Sequence, residues 1–183
     1  GTGTGTFNSP VLFQVGYQPT GLTQGDFNAD GMKDIAVTQR NSNSINVLYG
    51  VASGSFTPPY NYGVNYGPTL IVTADFNNDG FGDLSVVNNN AGTVSTLLEY
   101  GSGIFACLSN YETDVQAING VGGDLNNDGY IDVVSLNNNF NNYSIMLNNG
   151  GGYFGLAQDV TISTVPYSIT SGDFNKDFNL DIA

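Results

Sequence analysis

Asp124-Leu125-Asn126-Asn127-Asp128-Gly129-Tyr130-Ile131-Asp132 carries carboxylate or amide side chains at its first, third, fifth and ninth positions and glycine at its sixth. The same spelling recurs as Asp26-Phe27-Asn28-Ala29-Asp30-Gly31-Met32-Lys33-Asp34 and as Asp75-Phe76-Asn77-Asn78-Asp79-Gly80-Phe81-Gly82-Asp83. A fourth copy, Asp173-Phe174-Asn175-Lys176-Asp177-Phe178-Asn179-Leu180-Asp181, lacks the glycine. The copies begin 49 residues apart. Self-similarity at such a period marks a chain built from repeated supersecondary units.

The pattern suits one chemistry. Ca2+ takes about six to eight oxygen ligands from carboxylates, amide and backbone carbonyls and water. In a tightly wound loop the first, third and fifth side chains turn inward, the seventh residue offers its backbone carbonyl, and the ninth closes the shell. Glycine at the sixth position supplies the sharp turn with positive φ. The candidate ligands are therefore Asp26, Asn28, Asp30, Met32 and Asp34; Asp75, Asn77, Asp79, Phe81 and Asp83; Asp124, Asn126, Asp128, Tyr130 and Asp132; and Asp173, Asn175, Asp177, Asn179 and Asp181. Asp, Asn and Gly are also ordinary turn residues, and a single copy would be read either way. Four copies with every aspartate in register favour the metal. At position 6 of the fourth loop Phe178 costs on the order of 1–2 kcal/mol if φ is positive, which sets that loop apart as a weaker site or a different turn.

These loops are not helical EF-hands. The bidentate Glu expected at the twelfth loop position is replaced by Val37, Val86 and Ser135. The residues that follow each loop are β-branched or otherwise strand-like (Ile35-Ala36-Val37, Leu84-Ser85-Val86-Val87, Val133-Val134-Ser135-Leu136). The loop joins two strands.

Composition narrows the function. Of 16 acidic residues, 12 lie in the four loops, so the net charge of −13 is concentrated there, and four bound Ca2+ would reduce it to −5. Only Glu99, Glu112, Asp114 and Asp159 lie elsewhere. Lys33, Arg40 and Lys176 are the only basic residues, too few to neutralise phosphates, which argues against nucleic acid. There is no histidine, so His-based triads and His-ligated zinc are excluded. Cys107 is the sole cysteine and reads as a small buried hydrophobe. No apolar run approaches the roughly 18 residues of a membrane-spanning helix.

Taken in order, Phe7, Phe56, Phe105 and Phe154 are again 49 apart, each behind a glycine-rich turn, so the Gly/Thr-rich start is the tail of a repeat unit. Val11–Val15 and Leu22–Gly25 read as strands on either side of a turn, and a second strand runs from Asp34 to Thr38. Polar turns at Gln39–Asn43, Asn88–Asn90 and Asn137–Asn139 precede third strands at Ile45–Tyr49, Val94–Leu98 and Ile145–Leu147. Fourth strands fall near Tyr60–Val64, Leu108–Thr113 and Gln158–Ser163. Continuous apolarity of the third strands predicts burial on both faces, as in sheets stacked face to face. Four short strands per repeat is the arithmetic of an all-β propeller with four-stranded antiparallel blades. Residues 1–183 form one such array, with repeats 1–49, 50–98, 99–147 and 148–183, the last incomplete.

The unit resembles the FG-GAP/VCBS class of repeats, whose pattern runs strand, D-F-N-x-D-G-x-x-D, strand, strand, G-x-G-x-F. Such repeats occur in integrin α-subunit heads, in some fungal lectins and in many secreted microbial and invertebrate proteins. The resemblance covers essentially the whole chain. It implies a propeller of about seven blades, with Ca2+ in the loop between a blade's first two strands, at the first three loops above all, and an extracellular or cell-surface location.

On that basis the expected role is non-catalytic: a Ca2+-stabilised module for adhesion or structural assembly with other protein chains, self-assembly included. The alternative is a lectin holding glycans between blades, for which Tyr60, Tyr62 and Tyr66 form the candidate aromatic cluster; the same tyrosines also read as strand residues packing on neighbours. Asn142-Tyr143-Ser144 is the single glycosylation sequon, predicted to carry a surface glycan in a secreted eukaryotic protein. Four whole repeats make 196 residues against the 183 present. The missing phase corresponds to residues 37–49 and includes a third strand. Such a chain is expected to be an excerpt of a longer propeller, or to be completed by a neighbouring chain that covers its open edges.

Overall fold

The computed structural model describes residues 3–7, 9–113 and 117–183. Gly1, Thr2, Asp114 and the side chain of Cys107 lie outside the described residues. The chain is all-β: among the described residues there is no helix, and none long and apolar enough to cross a membrane. The first sheet pairs β1 (Pro19–Gly25), β2 (Asp34–Gln39), β3 (Ser44–Leu48) and β6 (Tyr60–Gly63) in that order, with a small hairpin of β4 (Gly50–Val51) and β5 (Ser55–Phe56) at its side. The second contains β7 (Pro68–Ala74), β8 (Asp83–Asn88), β9 (Thr93–Glu99) and β10 (Phe105–Glu112). The third contains β11 (Ala117–Gly123), β12 (Asp132–Asn137), β13 (Asn142–Met146) and β14 (Gln158–Thr161). A fourth begins with β15 (Ser171–Gly172) and β16 (Asp181–Ile182). All pairings are antiparallel.

The sheets are propeller blades, their first strands side by side: β7 contacts both β1 and β11, and β11 contacts β15. Each of the first three inner strands carries a register shift near its start, at Pro19/Leu22, Pro68/Leu70 and Ala117/Asn119, and such bulges increase local twist. Between the blades lie the cores. Ala36, Ile45 and Val47 of the first blade meet Ile71, Leu84 and Val86 of the second. Val87, Val94 and Leu98 of the second meet Ala117, Val133 and Met146 of the third. Val134 and Leu136 of the third meet Ile169 beyond it. Strand alternation thus sends Leu84 and Val86 one way and Val87 the other, so β8 is buried on both faces. The third strands β3 and β9 are buried throughout, as the sequence predicts, whereas β13, beside the two-stranded start of the fourth blade, alternates buried and half-buried residues.

Val11–Val15 differs from its expectation, being exposed coil apart from a half-buried Val15. It is in phase with β6, β10 and β14, which form only by pairing with a third strand (β3, β9, β13). Among the described residues no third strand stands beside it. Instead Phe13 packs edge-on against Phe56, ring centres 5.3 Å apart, over the outer face of the first blade. There Leu22 is 65% exposed, whereas Ile71, its equivalent one repeat later, is 5% exposed against the first blade.

Candidate calcium loops

The four acidic stretches form one turn repeated four times. Each joins a blade's first and second strands, the place at which the sequence expects it. In the second loop Asp75 Oδ1 and Asn77 Oδ1 both accept from the Asp79 backbone N–H at 3.0 Å, and Asp75 Oδ2 accepts from Gly80 N–H at 2.8 Å. Asp79 Oδ1 accepts from Phe81 N–H at 2.9 Å, and Asn77 Nδ2 donates to Asp79 Oδ2 at 2.8 Å. The first and third loops repeat every one of these bonds. Three side chains are thereby drawn into one concavity. The D-F-N spelling explains itself here: while Asp75 and Asn77 turn into the loop, Phe76 between them turns to the core and meets Phe154 edge-on at 5.6 Å. Phe27 meets Phe105 in the same way.

Two positions in each loop require a left-handed backbone. The fourth holds Ala29, Asn78, Asn127 and Lys176 at φ of 57°, 58°, 59° and 66°. The sixth holds Gly31, Gly80 and Gly129 at 83°, 93° and 88°, and Phe178 at 69°. The fourth loop therefore turns as the others do despite lacking glycine, and keeps their hydrogen bonds. Phe178 is 92% exposed, so its removal loses no packing. Phe178→Gly is expected to raise stability by about 1 kcal/mol, the left-handed strain relieved less the extra freedom of an unfolded glycine. Urea denaturation of the two proteins checks this.

The ninth-position aspartates have a second task that their spacing does not disclose. Asp83 is fully buried; its Oδ2 accepts from Phe76 N–H and its Oδ1 from Glu99 N–H, each at 2.9 Å. Asp34 holds Phe27 and Gly50 in the same manner, and Asp132 holds Leu125 and Asn148. One carboxylate so ties the loop's entry to the end of the third strand. Burial pushes the pKa of Asp34, Asp83 and Asp132 above the ordinary carboxylate range, to about 6 for Asp83, and the first- and fifth-position aspartates of the same loop add to the rise. Asp181 is half-buried, its Oδ2 accepting from Phe174 and Asn175.

Among the described residues no group of three Asp, Glu, His or Cys side chains by itself makes a metal site. The side-chain donor set of each loop is mixed, two open carboxylates joined by an asparagine amide oxygen, with the ninth carboxylate behind them. An ionised carboxylate has about four lone-pair directions, so an oxygen that accepts one N–H keeps room for another partner. Hard, all-oxygen and anionic, this set fits Ca2+ and offers nothing to a soft metal. The seventh residues are braced from behind: a Cβ on Gly101 would lie 2.9 Å from the Phe81 ring, and one on Gly150 3.2 Å from that of Tyr130.

Among the described residues the other acids do not assemble into a site. Glu99 is fully buried, its Oε1 accepting from Ser102 and Gly103 N–H and its Oε2 from Gly101 N–H at 2.6–2.7 Å. The run Gly101-Ser102-Gly103 behind it was the signal for that role. Asp159 on β14 accepts from Ser144 Oγ at 2.6 Å, and Glu112 is exposed on β10. The tyrosine cluster favours packing. Tyr62 sets its ring edge-on against Phe105 at 5.5 Å and donates to the Gly103 carbonyl at 3.2 Å, where buried Tyr49 donates too. Tyr60 leans on Tyr49, and Tyr66 is exposed.

Asn142 of the sequon is 7% exposed within β13, in register with Asn137 and Thr161. A glycan there would require the strand end to open. The expected result is an intact mass unchanged by N-glycosidase treatment of native material.

An FG-GAP-like repeat family model matches residues 26–86 and 124–183, which contain all four acidic loops. The chain belongs to the FG-GAP-like repeat family. No curated protein sequence matches it. Solved structures share the propeller fold with this FG-GAP chain at low identity. One is BBS1N in complex with ARL6DN (TM-score 0.62, 13% identity, 97% of this chain and 53% of that one). Another is a catalytically inactive histidine-to-alanine variant of virginiamycin B lyase from Staphylococcus aureus with quinupristin (TM-score 0.54, 19% identity, 82% and 44%). The FG-GAP chain thus spans about half the length of these propellers.

Proposed function

We propose that this FG-GAP chain is a non-catalytic, Ca2+-stabilised propeller module of the cell surface or extracellular space that docks other protein chains, in adhesion or structural assembly. The observation that carries the reading is the repetition, four times in register, of one oxygen-lined turn. Bound Ca2+ would supply the positive charge that lets three crowded carboxylates per loop stay ionised. The protein's own part is to hold those oxygens in place through the backbone N–H groups of the loop.

Three observations favour docking over catalysis. Nearly all carboxylates are committed to loops or to backbone N–H groups. The chain has no histidine, the residue type whose replacement marks the inactive lyase variant. The BBS1N propeller is recorded with a protein partner. The first blade also presents an apolar face lined by Phe13, Val15, Leu22, Ile35 and Phe56 around a groove of about 390 Å3. Its positions match those through which the second blade docks on the first, so it has the character of a surface that another blade covers.

Sedimentation velocity of the chain at rising concentration, with Ca2+ and with EDTA, tests the reading. Ca2+-dependent association that Leu22→Asp weakens is the expected result. A monomer at all concentrations that binds a glycan array in Ca2+ would replace this reading with the lectin one.

A further inference from the structure

Three of the four acidic loops are joined in a row, each bridge starting from a residue outside the ligand set. Asn78, at the fourth position of the second loop, donates through Nδ2 to the Gly129 carbonyl of the third loop at 3.1 Å. The N–H of that same Gly129 donates to Asp124 Oδ2 at 2.9 Å. Asn127, at the fourth position of the third loop, donates to Asn179 Oδ1 of the fourth loop at 2.8 Å. The N–H of Asn179 donates to Asp177 Oδ1, also at 2.8 Å. Each bridge therefore ends on a residue whose own amide holds a candidate ligand of the next loop. At the other end, Asn78 is flanked by Asn77 and Asp79, and Asn127 by Asn126 and Asp128. The first loop has Ala29 at this position, which has no group to donate.

We propose that the loops at 75–83, 124–132 and 173–181 take up Ca2+ as one coupled row through Asn78 and Asn127, while the loop at 26–34 fills independently. The inference rests on the calcium reading above. Ordering one loop's ligands fixes its fourth-position asparagine in the left-handed conformation it must hold (φ 58° and 59°). That asparagine then orients the neighbouring loop's peptide, so the second ion meets a loop already partly ordered. Coupling of this kind is reciprocal by thermodynamic necessity, each loop tightening the other by the same factor. One hydrogen bond's net worth sets the factor at about fivefold per bridge.

Calorimetric titration of the Ca2+-free 183-residue chain with CaCl2 tests it. The wild type should show a Hill coefficient above unity together with one independent site. Asn78→Ala with Asn127→Ala should bring the coefficient to unity and weaken the later-filling loops about fivefold. Ala29→Asn, at an exposed position that suits asparagine, should bring the first loop into the row by reaching the Gly80 carbonyl and steepen the curve. Ca2+ binding of unchanged shape in all three proteins would overturn the coupling and leave the calcium reading standing. No Ca2+ binding by the folded wild type would overturn both.

Discussion

Asp83→Ala is expected to cost about 3 kcal/mol of folding stability even without metal, the largest effect of any single substitution among the candidate ligands. The carboxylate is fully buried and accepts the N–H groups of Phe76 and Glu99, both themselves fully buried. A hydrogen bond to a charged group is worth about 1.5–3 kcal/mol, and a buried donor left without one costs about 1–3 kcal/mol. Two such losses would exceed the stated figure. The relief of a buried charge whose pKa already stands at about 6 offsets part of them. Phe76 also anchors the core between the second and third blades, so loosening its amide loosens that contact. Asp181→Ala is the control: its partners Phe174 and Asn175 are exposed, and the change should stay near the roughly 0.5 kcal/mol of ordinary surface substitutions. Urea denaturation in EDTA compares the two, and equal effects would show that the buried aspartate is not a structural tie.

How much of this was legible in the sequence follows from where the information resides. The loops and the strands after them are local: spacing of Asp, Asn and Gly sets the turn, and β-branched runs set β2, β8 and β12 within a residue or so of their observed bounds. Long-range facts are not legible in the same way. That Asp83 holds Glu99 N–H depends on the third strand returning beside the loop 16 residues later. Val11–Val15 has a strand's composition but none of its pairing, because hydrogen bonds and not propensity close a sheet. Asn142 reads as a surface turn residue, yet β13 carries it inside. Asn78 and Asn127 look like filler between ligands; only the side-by-side placement of blades reveals what they reach.

Removing Ca2+ is the second large effect expected. Without a cation each of the first three loops holds two open carboxylates beside a third that is buried, and after burial itself the neighbouring carboxylates add to the raised pKa of Asp34, Asp83 and Asp132. A ligand at 100 times its Kd stabilises by about 2.7 kcal/mol per site. At about 2–4 °C per kcal/mol for a domain of this size, one loop is worth about 5–10 °C and several loops more. Asp128→Ala should abolish more of this shift than Asp177→Ala, because the fourth loop carries the Phe178 strain against its own turn.

Scanning calorimetry of the 183-residue chain in EDTA, then in CaCl2 and in MgCl2, tests the central claim most directly. The account predicts a Tm at least about 5 °C lower in EDTA, restored by CaCl2 and less fully by MgCl2, whose ion demands a tighter octahedral shell than these loops form. A Tm that is the same in EDTA and in CaCl2 would contradict it.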